Sequence, residues 1–558
     1  MTTLLTDNLP LLAGAPNGIK KLRELILELA VRGKLVPQDP SDEPASELLK
    51  RIAEEKARLV AEGKIKKQKA LSERDAEDPA FELPAGWACA RLADVVNVLN
   101  GRAYKKEELL DAGTPVLRVG NLFTSNHWYY STLTLEEDKY CNPGDLLFAW
   151  SASFGPFIWH GERSIYHYHI WKLDFYAKGQ LSKHYLYNYL LEQTQEIKAA
   201  GHGVSMVHMT KEKMERLVLP VPPLAEQDRI VAKVDELMAL CDRLEAQQTD
   251  IESAHAQLVQ ALLNSLTQAS NATDFGANWH RMAEHFHTLF TNDPSIDALK
   301  QTLLQLAVMG KLVPQDPSDE PASELLKRIA EGKKQLLIDG KLKKEKPLLP
   351  LEDLPFELPK NWSWSRLGRL IADLRYGTAT KCDYSGTGTP VLRIPNIGDP
   401  SILLDDLKYG NLSSDEIDAL KLLPEDLLMI RSNGSASLVG KTAVVTDSVT
   451  HCAFAGYLIR IRFPKSCISS YYLQLAMKSL DVRYSIESPI RTTSGVKNIN
   501  STEVSNIRIP LPPLAEQHRI VAKVDQLMAL CDRLKASLTQ ANQLNDQLAS
   551  TVIEQAVG

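Results

Sequence analysis

The first feature of the chain is a short amphipathic pattern that occurs twice. Apolar residues recur at three- and four-residue spacing, which is typical of one face of an α-helix. The positions are Ile19, Leu22, Ile26 and Leu29 in the first half and Ile296, Leu299, Leu303 and Leu306 in the second. Gly33 and Gly310 follow these runs and predict the ends of the helices. A second helix is expected to begin with Ser46 or Ser323 as its N-cap.

A longer periodic pattern closes each half. Its spacings alternate between four and three residues over about four heptads, as in a coiled coil. The seam comprises Ile230, Val234, Leu237, Cys241 and Leu244 in the first half and Ile520, Val524, Leu527, Cys531 and Leu534 in the second. The same register continues to Ile251, Leu258 and Leu548. We therefore predict two long helices that can bury their seams against each other. The first would run from Leu224 to about Leu266, roughly 65 Å.

Between these helical patterns lie two segments of a different kind, in which short apolar runs alternate with turn residues. Strand-like runs occupy 114–122 and 144–150 in the first segment and 389–397 and 425–431 in the second. Helical stretches at 183–198 and 470–480 close the two segments. Short β runs bounded by Gly, Pro, Asn and Asp predict mixed, β-rich domains. The expected fold class is therefore α+β.

The helical phrases are repeated almost letter for letter. Residues 33–54 recur as 310–331, and 222–244 recur with small changes as 512–534. We call these repeated phrases the frame. The segments between them, residues 81–220 (the first insert) and 356–510 (the second insert), match only in scattered places. The expected divisions are a helical hairpin and linker at 1–80, the first insert at 81–220, central helices with a second hairpin and linker at 221–355, the second insert at 356–510, and a final helix at 511–558.

Composition and charge narrow the class of protein. The chain has 558 residues, of which 44% are apolar and 24% charged, as in an ordinary globular protein of several domains. Its net charge is −6, but the inserts carry only −1 (14 basic, 15 acidic) and +3 (18 basic, 15 acidic). The seven cysteines have no metal-ligand spacing, which suits a reducing cytoplasm. No apolar run is long enough to span a membrane, and the start does not resemble a signal peptide.

Motifs for catalysis are missing. The Pro-Pro pairs precede leucine, unlike the aromatic residue of an amino-methyltransferase motif, and no glycine-rich dinucleotide or nucleophile-elbow motif occurs. The segment 434–442 resembles a phosphate loop but has five residues between its glycines where four are required. The run 166–171, Tyr-His-Tyr-His-Ile-Trp, would alternate between two faces of a strand, which favours a row of packed rings over a metal site. The sequence predicts a binding protein without catalytic or metal-ligating residues.

Both inserts contain turn-like stretches that mix basic, amide, hydroxyl and aromatic residues. Such groups suit DNA, because Arg and Lys contact guanine edges or phosphates, Asn contacts adenine, and Ser or Thr bonds either. The candidates in the first insert are Arg102, Tyr104, Lys105, Asn126, Trp128, Tyr129, Ser151, Ser153, His202 and Ser205. Those in the second are Arg375, Thr378, Lys381, Arg431, Asn433, Ser435, Arg491 and Thr492. An ordinary surface loop is the alternative for each residue taken singly.

A resemblance to a known family rests on five phrases. They are GKLVPQDPSDEPASELLKRI, the FELP openings with Trp87 and Trp362, GDLLFAWSASFG, RSNGSASLVGKTAVV, and PLPPLAEQ-x-RIVAKVD. Together they resemble the specificity subunit of type I restriction–modification enzymes, over essentially the whole chain. The resemblance implies two target-recognition domains joined by an antiparallel pair of conserved helices with a pseudo-twofold repeat. Each domain would recognise one half of a bipartite, asymmetric site in double-stranded DNA.

The resemblance also implies partners. Two methyltransferase subunits would dock on the conserved elements and bind S-adenosylmethionine, and two motor-nuclease subunits would use ATP and Mg²⁺. This chain would itself hold no cofactor and catalyse nothing, and it would act in the cytoplasm. A coiled-coil scaffold whose duplicated domains bind proteins or peptides is the alternative from another class, and a self-sufficient methyltransferase or nuclease is disfavoured by the missing motifs.

Overall fold

The computed structural model divides the chain into two compact units. The first unit contains residues 1–251 and 540–558, and the second contains 252–539. The structure describes residues 11–66, 81–151, 154–200, 209–338, 347–488, 491–493 and 496–557. Each unit contains one insert together with elements from both halves of the frame.

The first unit begins with the helical hairpin and continues through the first insert into a long helix. Its helices are α1 (Gly18–Val31), α2 (Ala45–Ala61), α3 (Leu92–Val95), α4 (Val119–Phe123), α5 (Lys183–Ala200), α6 (Lys211–Arg216) and the start of α7 (Leu224–Gln268). Its strands are β1 (Ala88–Arg91), β2 (Val96–Asn100), β3 (Thr114–Leu117), β4 (Tyr129–Ser131), β5 (Tyr140–Cys141), β6 (Leu146–Ala149), β7 (Gly155–Ile158), β8 (Ser164–Tyr166), β9 (Ile170–Phe175) and β10 (Val218–Val221).

Three sheets organise the first insert. Strand β1 pairs antiparallel with β10, so the two ends of the insert lie side by side. The main sheet has the order β2-β9-β6-β7, and a second sheet has the order β4-β3-β8-β5, in which β3 and β8 run parallel. Leu146, Phe148 and Leu173 of the main sheet share one hydrophobic core with α5 and with Leu22 and Ile26 of α1. The insert is therefore packed directly against its frame.

The second unit repeats this plan. Its helices are α8 (Ala272–Glu284), α9 (Phe286–Leu289), α10 (Asp293–Val308), α11 (Ala322–Ile338), α12 (Leu367–Leu370), α13 (Ser414–Leu420), α14 (Ser470–Ala476), α15 (Leu480–Glu487), α16 (Ser501–Ser505) and most of α17 (Leu514–Val557). Its strands are β11 (Ser363–Arg366), β12 (Asp373–Tyr376), β13 (Thr389–Leu392), β14 (Lys408–Gly410), β15 (Leu427–Ile430), β16 (Ser432–Asn433), β17 (Thr442–Val444), β18 (Ala453–Phe454), β19 (Leu458–Arg462), β20 (Arg491–Thr493), β21 (Val496–Asn498) and β22 (Arg508–Leu511).

The sheets of the second insert correspond to those of the first. Strand β11 pairs with β22, the main sheet has the order β12-β19-β15-β17, and β13 pairs with β14 and, in parallel, with β18. A further sheet of order β16-β21-β20 is present. The prediction of two β-rich domains in an α+β fold is confirmed, and the strand-like runs near 114, 144, 389 and 425 form β3, β6, β13 and β15. The stretch predicted as one helix from 470 is broken into α14 and α15.

The ends of the frame helices can be compared with the predicted glycine stops and serine caps. Gly33 and Gly310 follow α1 and α10 with φ of 67° and 69°, the left-handed conformation that glycine adopts without strain, so both predicted helix stops are confirmed. The predicted Ser46 cap is wrong, because α2 already begins at Ala45, and the matching helix α11 begins one residue before Ser323. The Ala45 amide instead donates to the carbonyl of Gly86, 2.9 Å away.

The two long helices share cores in reversed order. In the first unit, Ile230 and Val234 of α7 lie in one core with Ala549 and Ala556 of α17. In the second unit, Val259, Leu263 and Leu266 of α7 share a core with Leu527, Cys531 and Leu534 of α17. Early residues of one helix therefore share a core with late residues of the other, which is the order of an antiparallel pair.

The heptad register does not extend along the whole of either helix. Ile251, Leu258 and Leu548 are 69%, 54% and 50% exposed, although the register predicted them in the seam. The next buried position after Cys241 is instead Val259, and the one after Cys531 in the matching helix is Ala549. Each of these two pairs of buried residues is about five turns of a straight helix apart, at about 3.6 residues per turn. A heptad seam would instead repeat about every 3.5 residues. The long helices therefore follow straight-helix periodicity between their two buried ends.

Candidate nucleic-acid interface

Three stretches of backbone meet at one end of the main sheet in the first insert. The Arg102 amide donates to the Tyr166 carbonyl at 3.1 Å, and the Tyr168 amide donates back to the Arg102 carbonyl at 3.0 Å. The Trp150 amide donates to the carbonyl of His169 at 3.1 Å. We call this arrangement the first junction, and it consists of residues 101–104, 150 and 167–169. It joins the chain after β2, the residue after β6, and the turn between β8 and β9.

The second insert builds the same junction with different side chains. The Thr378 amide donates to Phe454 O at 2.9 Å, and the Gly456 amide donates to Thr378 O at 2.8 Å. The amide of Arg431 donates to Tyr457 O at 2.9 Å. We call this the second junction, and it consists of residues 377–380, 431 and 455–457. These bonds make Trp150 and Arg431 equivalent positions.

A glycine is required at the same place in both junctions. A Cβ on Gly101 would lie 2.3 Å from the carbonyl oxygen of His167, and one on Gly377 would lie 2.2 Å from that of Phe454. Such distances are far inside van der Waals contact, so only glycine lets the two segments approach closely. The two inserts share a backbone junction and differ in what it carries.

Arg102, a predicted DNA contact, is engaged within the first insert. Its Nη1 and Nη2 atoms donate to the two carboxylate oxygens of Glu108 at 3.0 and 2.7 Å, and its guanidinium lies 5.3 Å from the centre of the Tyr104 ring. Hydrogen bonding from Arg102 lowers the pKa of the Glu108 carboxyl, so the carboxylate stays charged. Burial raises the pKa of the Tyr104 hydroxyl. The positive charge of Arg102 is therefore largely compensated before any ligand binds.

An aromatic row covers the rest of the first junction. His167, Tyr168 and His169 form the turn between β8 and β9 and not part of a strand, so the predicted alternation across a strand is wrong. Their rings nevertheless contact one another, with centroids 4.0 to 4.9 Å apart. Trp150 continues the row, 5.0 Å from His169 and stacked 5.7 Å from Trp171. The expectation of packed rings is confirmed.

His167 stays uncharged at neutral pH. Burial, followed by the nearby His169 and Arg118, lowers the pKa of His167 to about 4. Among the described residues, no group of three or more His, Cys, Asp or Glu is placed to hold a metal ion. This part of the insert therefore presents ring faces and the neutral imidazole of His167.

The remaining candidates of the first insert are scattered around this row. Lys105 and Asn126 are exposed, and Ser151 is half-buried. Trp128 packs against the core near Trp159, with ring centroids 6.2 Å apart. Tyr129 lies beneath the Arg118 guanidinium at 5.3 Å. Ser153, His202 and Ser205 fall outside the described residues.

Arg431 is the central side chain of the second junction. Its guanidinium lies 4.6 Å from the centre of the Tyr376 ring, and the Tyr376 hydroxyl accepts a hydrogen bond from the Ser501 amide at 2.8 Å. The Nε atom of Arg431 is buried and has no hydrogen-bond partner in the part of the chain that the structure describes. Tyr457 beside it is 61% exposed.

The other candidates of the second insert differ in accessibility. Lys381 is exposed, whereas Thr378 is buried and donates to the Glu416 carboxylate. Arg375 is half-exposed, with its Nε 3.6 Å from an oxygen of Asp373. Arg375 and Thr378 border a cleft of about 440 Å³ lined by Leu374–Ala379, Glu416, Ala419 and Leu420. Thr378 therefore acts within the insert, while Lys381 remains available on the surface.

A small sheet brings together two candidate stretches that are separate in sequence, the one with Asn433 and the one with Thr492. Strand β21 lies between β16 and β20, so that Asn433 pairs with Lys497 and Lys497 pairs with Thr492. The Asn433 side chain accepts a hydrogen bond from the Ser435 amide at 2.8 Å, which shapes the turn after β16. The strand carrying Arg491 and Thr492 is described, but their side chains fall outside the described residues.

The frame holds each insert through the same buried carboxylate. Glu226 accepts hydrogen bonds from Trp87 Nε1 at 3.0 Å and Gln38 Nε2 at 3.1 Å. Glu516, its counterpart, accepts from Trp362 Nε1 at 2.9 Å and from Gln315 Nε2 at 2.8 Å in the second half. Burial raises the pKa of both carboxyl groups, against the effect of these donors.

Ion pairs in the frame are duplicated as well. Arg229 contacts Asp42 at 2.7 Å, and Arg519 contacts Asp319 at 2.6 Å. The frame therefore repeats both its sequence and its interactions, in contrast to the side chains of the junctions.

Several residues near the junctions were not predicted from the sequence. They are Arg118, Tyr168, Tyr376, Tyr457 and Lys497. Tyr376 adjoins Arg375 in sequence, and Tyr168 lies in the aromatic run, so local composition could have found these two. Nothing local distinguishes Tyr457 or Lys497, because their proximity depends on strand pairing.

Two further observations concern the chain as a whole. None of the seven cysteines forms a disulfide. Among the described residues, none of the helices combines the length and apolar character needed to cross a membrane.

Comparisons with known proteins agree with this architecture. The family model for the type I restriction modification DNA specificity domain matches residues 84–253 and 359–545. The type I restriction enzyme EcoAI specificity subunit of Escherichia coli is 38% identical, covering 97% of this chain and 94% of the relative. The EcoEI specificity subunit of Escherichia coli is 36% identical with the same coverage.

Among solved structures, a similar chain comes from work on complex assembly and conformational transition of the type I R-M system. It is 18% identical, covers 86% of this chain and 99% of the other, and has a TM-score of 0.49. The family model covers most of both inserts and the repeated phrases at 222–244 and 512–534, and each of the two Escherichia coli relatives matches 97% of the chain. The chain therefore belongs to the specificity subunits of type I restriction–modification systems, a family of non-catalytic DNA-binding subunits.

Proposed function

We propose that each insert recognises one half of a bipartite, asymmetric site in double-stranded DNA. The observation that carries the proposal is the pair of junctions, which share a backbone and differ in side chains. An aromatic row with Trp150 occupies one junction, and Arg431 on Tyr376 occupies the other. Two unlike surfaces on one plan suit two unlike half-sites, since bases are distinguished by side chains at groove edges.

The base-contacting set proposed here follows from accessibility. Lys105, Asn126 and Tyr129 in the first insert remain candidates, as do Lys381 and Arg431 in the second. Arg102 and Thr378 instead position neighbouring residues, because each is bound to a carboxylate of its own insert. The functional divisions of the chain are proposed at 80/81, 220/221, 355/356 and 510/511.

The frame is proposed to dock two methyltransferase subunits in a pseudo-twofold manner. Identical partners require matching surfaces, and the Glu226 and Glu516 networks give both halves the same geometry. Leu258 and Leu548 occupy matching positions of the two long helices and expose apolar surface on otherwise polar stretches. S-adenosylmethionine would be bound by those subunits, and ATP and Mg²⁺ by two motor-nuclease subunits. The complex would act on DNA in the cytoplasm.

The long helices are proposed to set the number of base pairs between the half-sites. Helix α7 contains 45 residues and α17 contains 44, and each has residues in both units. Helices of this length span roughly 65 Å. A fixed separation of two recognition surfaces fixes the separation of two half-sites, as dimer geometry does in other DNA-binding proteins.

Selection from a random pool of DNA, with the methyltransferase subunit present, tests the proposal. We expect one motif with two specific halves and an unspecified spacer of constant length. Replacing residues 356–510 with the corresponding segment of a relative should change one half and leave the other. If no motif is enriched, DNA recognition by the inserts is refuted. A scaffold that binds proteins or peptides would then account better for the duplicated domains.

A further inference from the structure

Arg431 combines three properties that suit it to direct contact with a base. Its ring contact with Tyr376, which is itself held by the Ser501 amide, restricts the side chain before any ligand arrives. Its buried Nε lacks a hydrogen-bond partner among the described residues. No ion pair of Arg431 occurs within that same part of the chain, whereas Arg393 and Arg462 each contact an aspartate.

Such an arginine has a natural partner in DNA. The guanidinium group presents a rigid fork of donors that matches two acceptors in one plane. In the major groove, guanine presents O6 and N7 as two adjacent acceptors, and this pairing is the commonest specific contact between protein and DNA. The contact with the Tyr376 ring holds the guanidinium group without using its outer nitrogen atoms.

The matching residue of the first insert has the opposite chemistry. The Trp150 indole N–H donates to the Tyr168 carbonyl at 2.9 Å, so its polar atom is used within the protein. Its ring, half-buried, stacks on Trp171 and meets His169. The guanidinium of Arg102, in the same junction, is held by Glu108. The first junction therefore presents apolar ring surface where the second presents a charged fork.

We propose that Trp150 and Arg431 form a matched pair of specificity positions, in which Arg431 selects a guanine in its half-site and Trp150 selects an A·T pair by contact with the thymine methyl group. The proposal rests on the proposed function, because it assigns base preference within half-sites that the two inserts recognise. It follows from one shared backbone position that carries two different chemistries. The contact of apolar side chains with the thymine methyl is an established means of distinguishing T from C.

The test exchanges the two residues and measures base preference at every position of the motif. The variants are Arg431→Lys, Arg431→Ala, Arg431→Trp, Trp150→Arg and Trp150→Phe, each in the full chain with its methyltransferase partner. We expect Arg431→Lys and Arg431→Ala to reduce discrimination for one G·C pair, in one half-site only, roughly 5- to 150-fold. Trp150→Arg should introduce a guanine preference in the other half-site, and Trp150→Phe should preserve the A·T preference.

Different failures have different meanings. If the wild type selects a motif and Arg431→Ala preserves every base preference, this inference is overturned while the proposed function stands. A uniform loss of affinity for all sequences with a shallower salt dependence would make Arg431 a phosphate contact and would also overturn it. Absence of any wild-type motif would refute the proposed function itself. Should Arg431→Ala fail to fold or to assemble, Arg431→Lys decides, because it keeps the charge and most of the packing and removes only the fork.

Discussion

The role of an arginine in this protein depends on which group contacts its guanidinium. Arg102 and Arg431 occupy turn-like stretches of similar composition, and both were candidates for DNA contact. Arg102 is bound by Glu108, which is close to it in sequence. Arg431 instead meets Tyr376, which lies on a strand much earlier in the chain. Residue type and local context predict that a surface can bind DNA, but the partner of each charge decides which residue is available.

The pH dependence of stability should reveal the environment of His167. An unfolded histidine takes up a proton near pH 6.5, whereas folded His167 does so only near pH 4. Between these values the unfolded state binds more protons, so His167 makes the protein less stable as pH falls from about 6.5 towards 4. We expect His167→Gln to reduce the fall in unfolding temperature across this range. The matched control is His280→Gln, whose side chain lies on an exposed face of α8. An unaltered slope in His167→Gln would contradict the prediction.

Trp87 and Trp362 should contribute equally to the free energy of unfolding. Trp87→Phe and Trp362→Phe each remove the indole donor from a buried carboxylate, at Glu226 and Glu516 respectively. Loss of such a bond destabilises a protein by about 1–3 kcal/mol. Denaturant unfolding should show similar losses for both variants. Trp364→Phe is a suitable control because its indole makes only a long contact of 3.4 Å. A large difference between the two variants would mean that the frames are not energetically equivalent.

At the scale of elements, periodicity predicts a helix better than it predicts the residues that the helix buries. The α7 helix begins at Leu224 as expected and ends two residues beyond the predicted Leu266. Its apolar register, by contrast, shifts by one position between Cys241 and Val259. Two separate cores bury the two ends of the helix, and the residues between them are mostly exposed. No continuous partner is present along that stretch, among the described residues, to impose a heptad repeat.

The ion pair between Lys21 and Asp546 occurs in the first unit and has no counterpart in the second. Lys21 on α1 donates to Asp546 of α17 at 2.6 Å and to Ser550 at 2.9 Å. When the two halves of the frame are aligned on their repeated phrases, the positions that correspond to Lys21 and Asp546 are Ala298 and Ala256. The charge pair is thus specific to the contact between the N-terminal helix and the C-terminal helix.

A double-mutant cycle should measure this pair. The Asp546 carboxylate is 42% exposed, so solvent screening limits the coupling between Lys21→Ala and Asp546→Ala to about 0.5–1 kcal/mol. Thermal or denaturant unfolding of the two single variants and the double variant gives the value. Lys20→Ala, whose side chain is 76% exposed, provides the control and should show no coupling with Asp546→Ala. Additive effects of Lys21→Ala and Asp546→Ala would show that the contact does not stabilise the fold.

For the whole molecule, the main consequence of duplication is that one frame supports two different surfaces. The buried contacts of Gln38, Trp87 and Glu226 have counterparts in the second half with nearly the same distances. The junction positions, such as Trp150 and Arg431, share only their backbone bonds. On the proposed function, assembly would depend on the frame and DNA recognition on the junctions, so that one set of residues could change without disturbing the other.

The spacer between half-sites should respond to helix length. Seven residues inserted into each exposed stretch, 245–258 of α7 and 535–548 of α17, add about 10 Å and leave the helix faces within about 20° of their original direction. We expect the selected motif to gain about three base pairs of spacer, at about 3.4 Å per base pair. Insertion of five residues rotates the faces by about 140° and should abolish assembly. A constant spacer in the seven-residue variant would refute the measuring role of the helices.

The amino-acid sequence by itself determined the duplicated frame, the fold class, the helices of the frame and the strands β3, β6, β13 and β15. These features depend on short-range periodicity and on turn residues such as Gly33 and Gly310, whose effects act within a few positions of the chain. The repeated phrases also indicated the family, because long identical segments need no spatial information to be compared.

Only the tertiary structure decided which side chains form a surface and which are engaged within the protein. The junctions join segments that lie far apart along the chain, as between Trp150 and His169 or between Thr378 and Gly456. The start of α2 likewise depends on the carbonyl of Gly86 and not on Ser46. Hydrogen bonds and burial between distant segments have no local signature, because they form only when the sheets and cores bring those segments together.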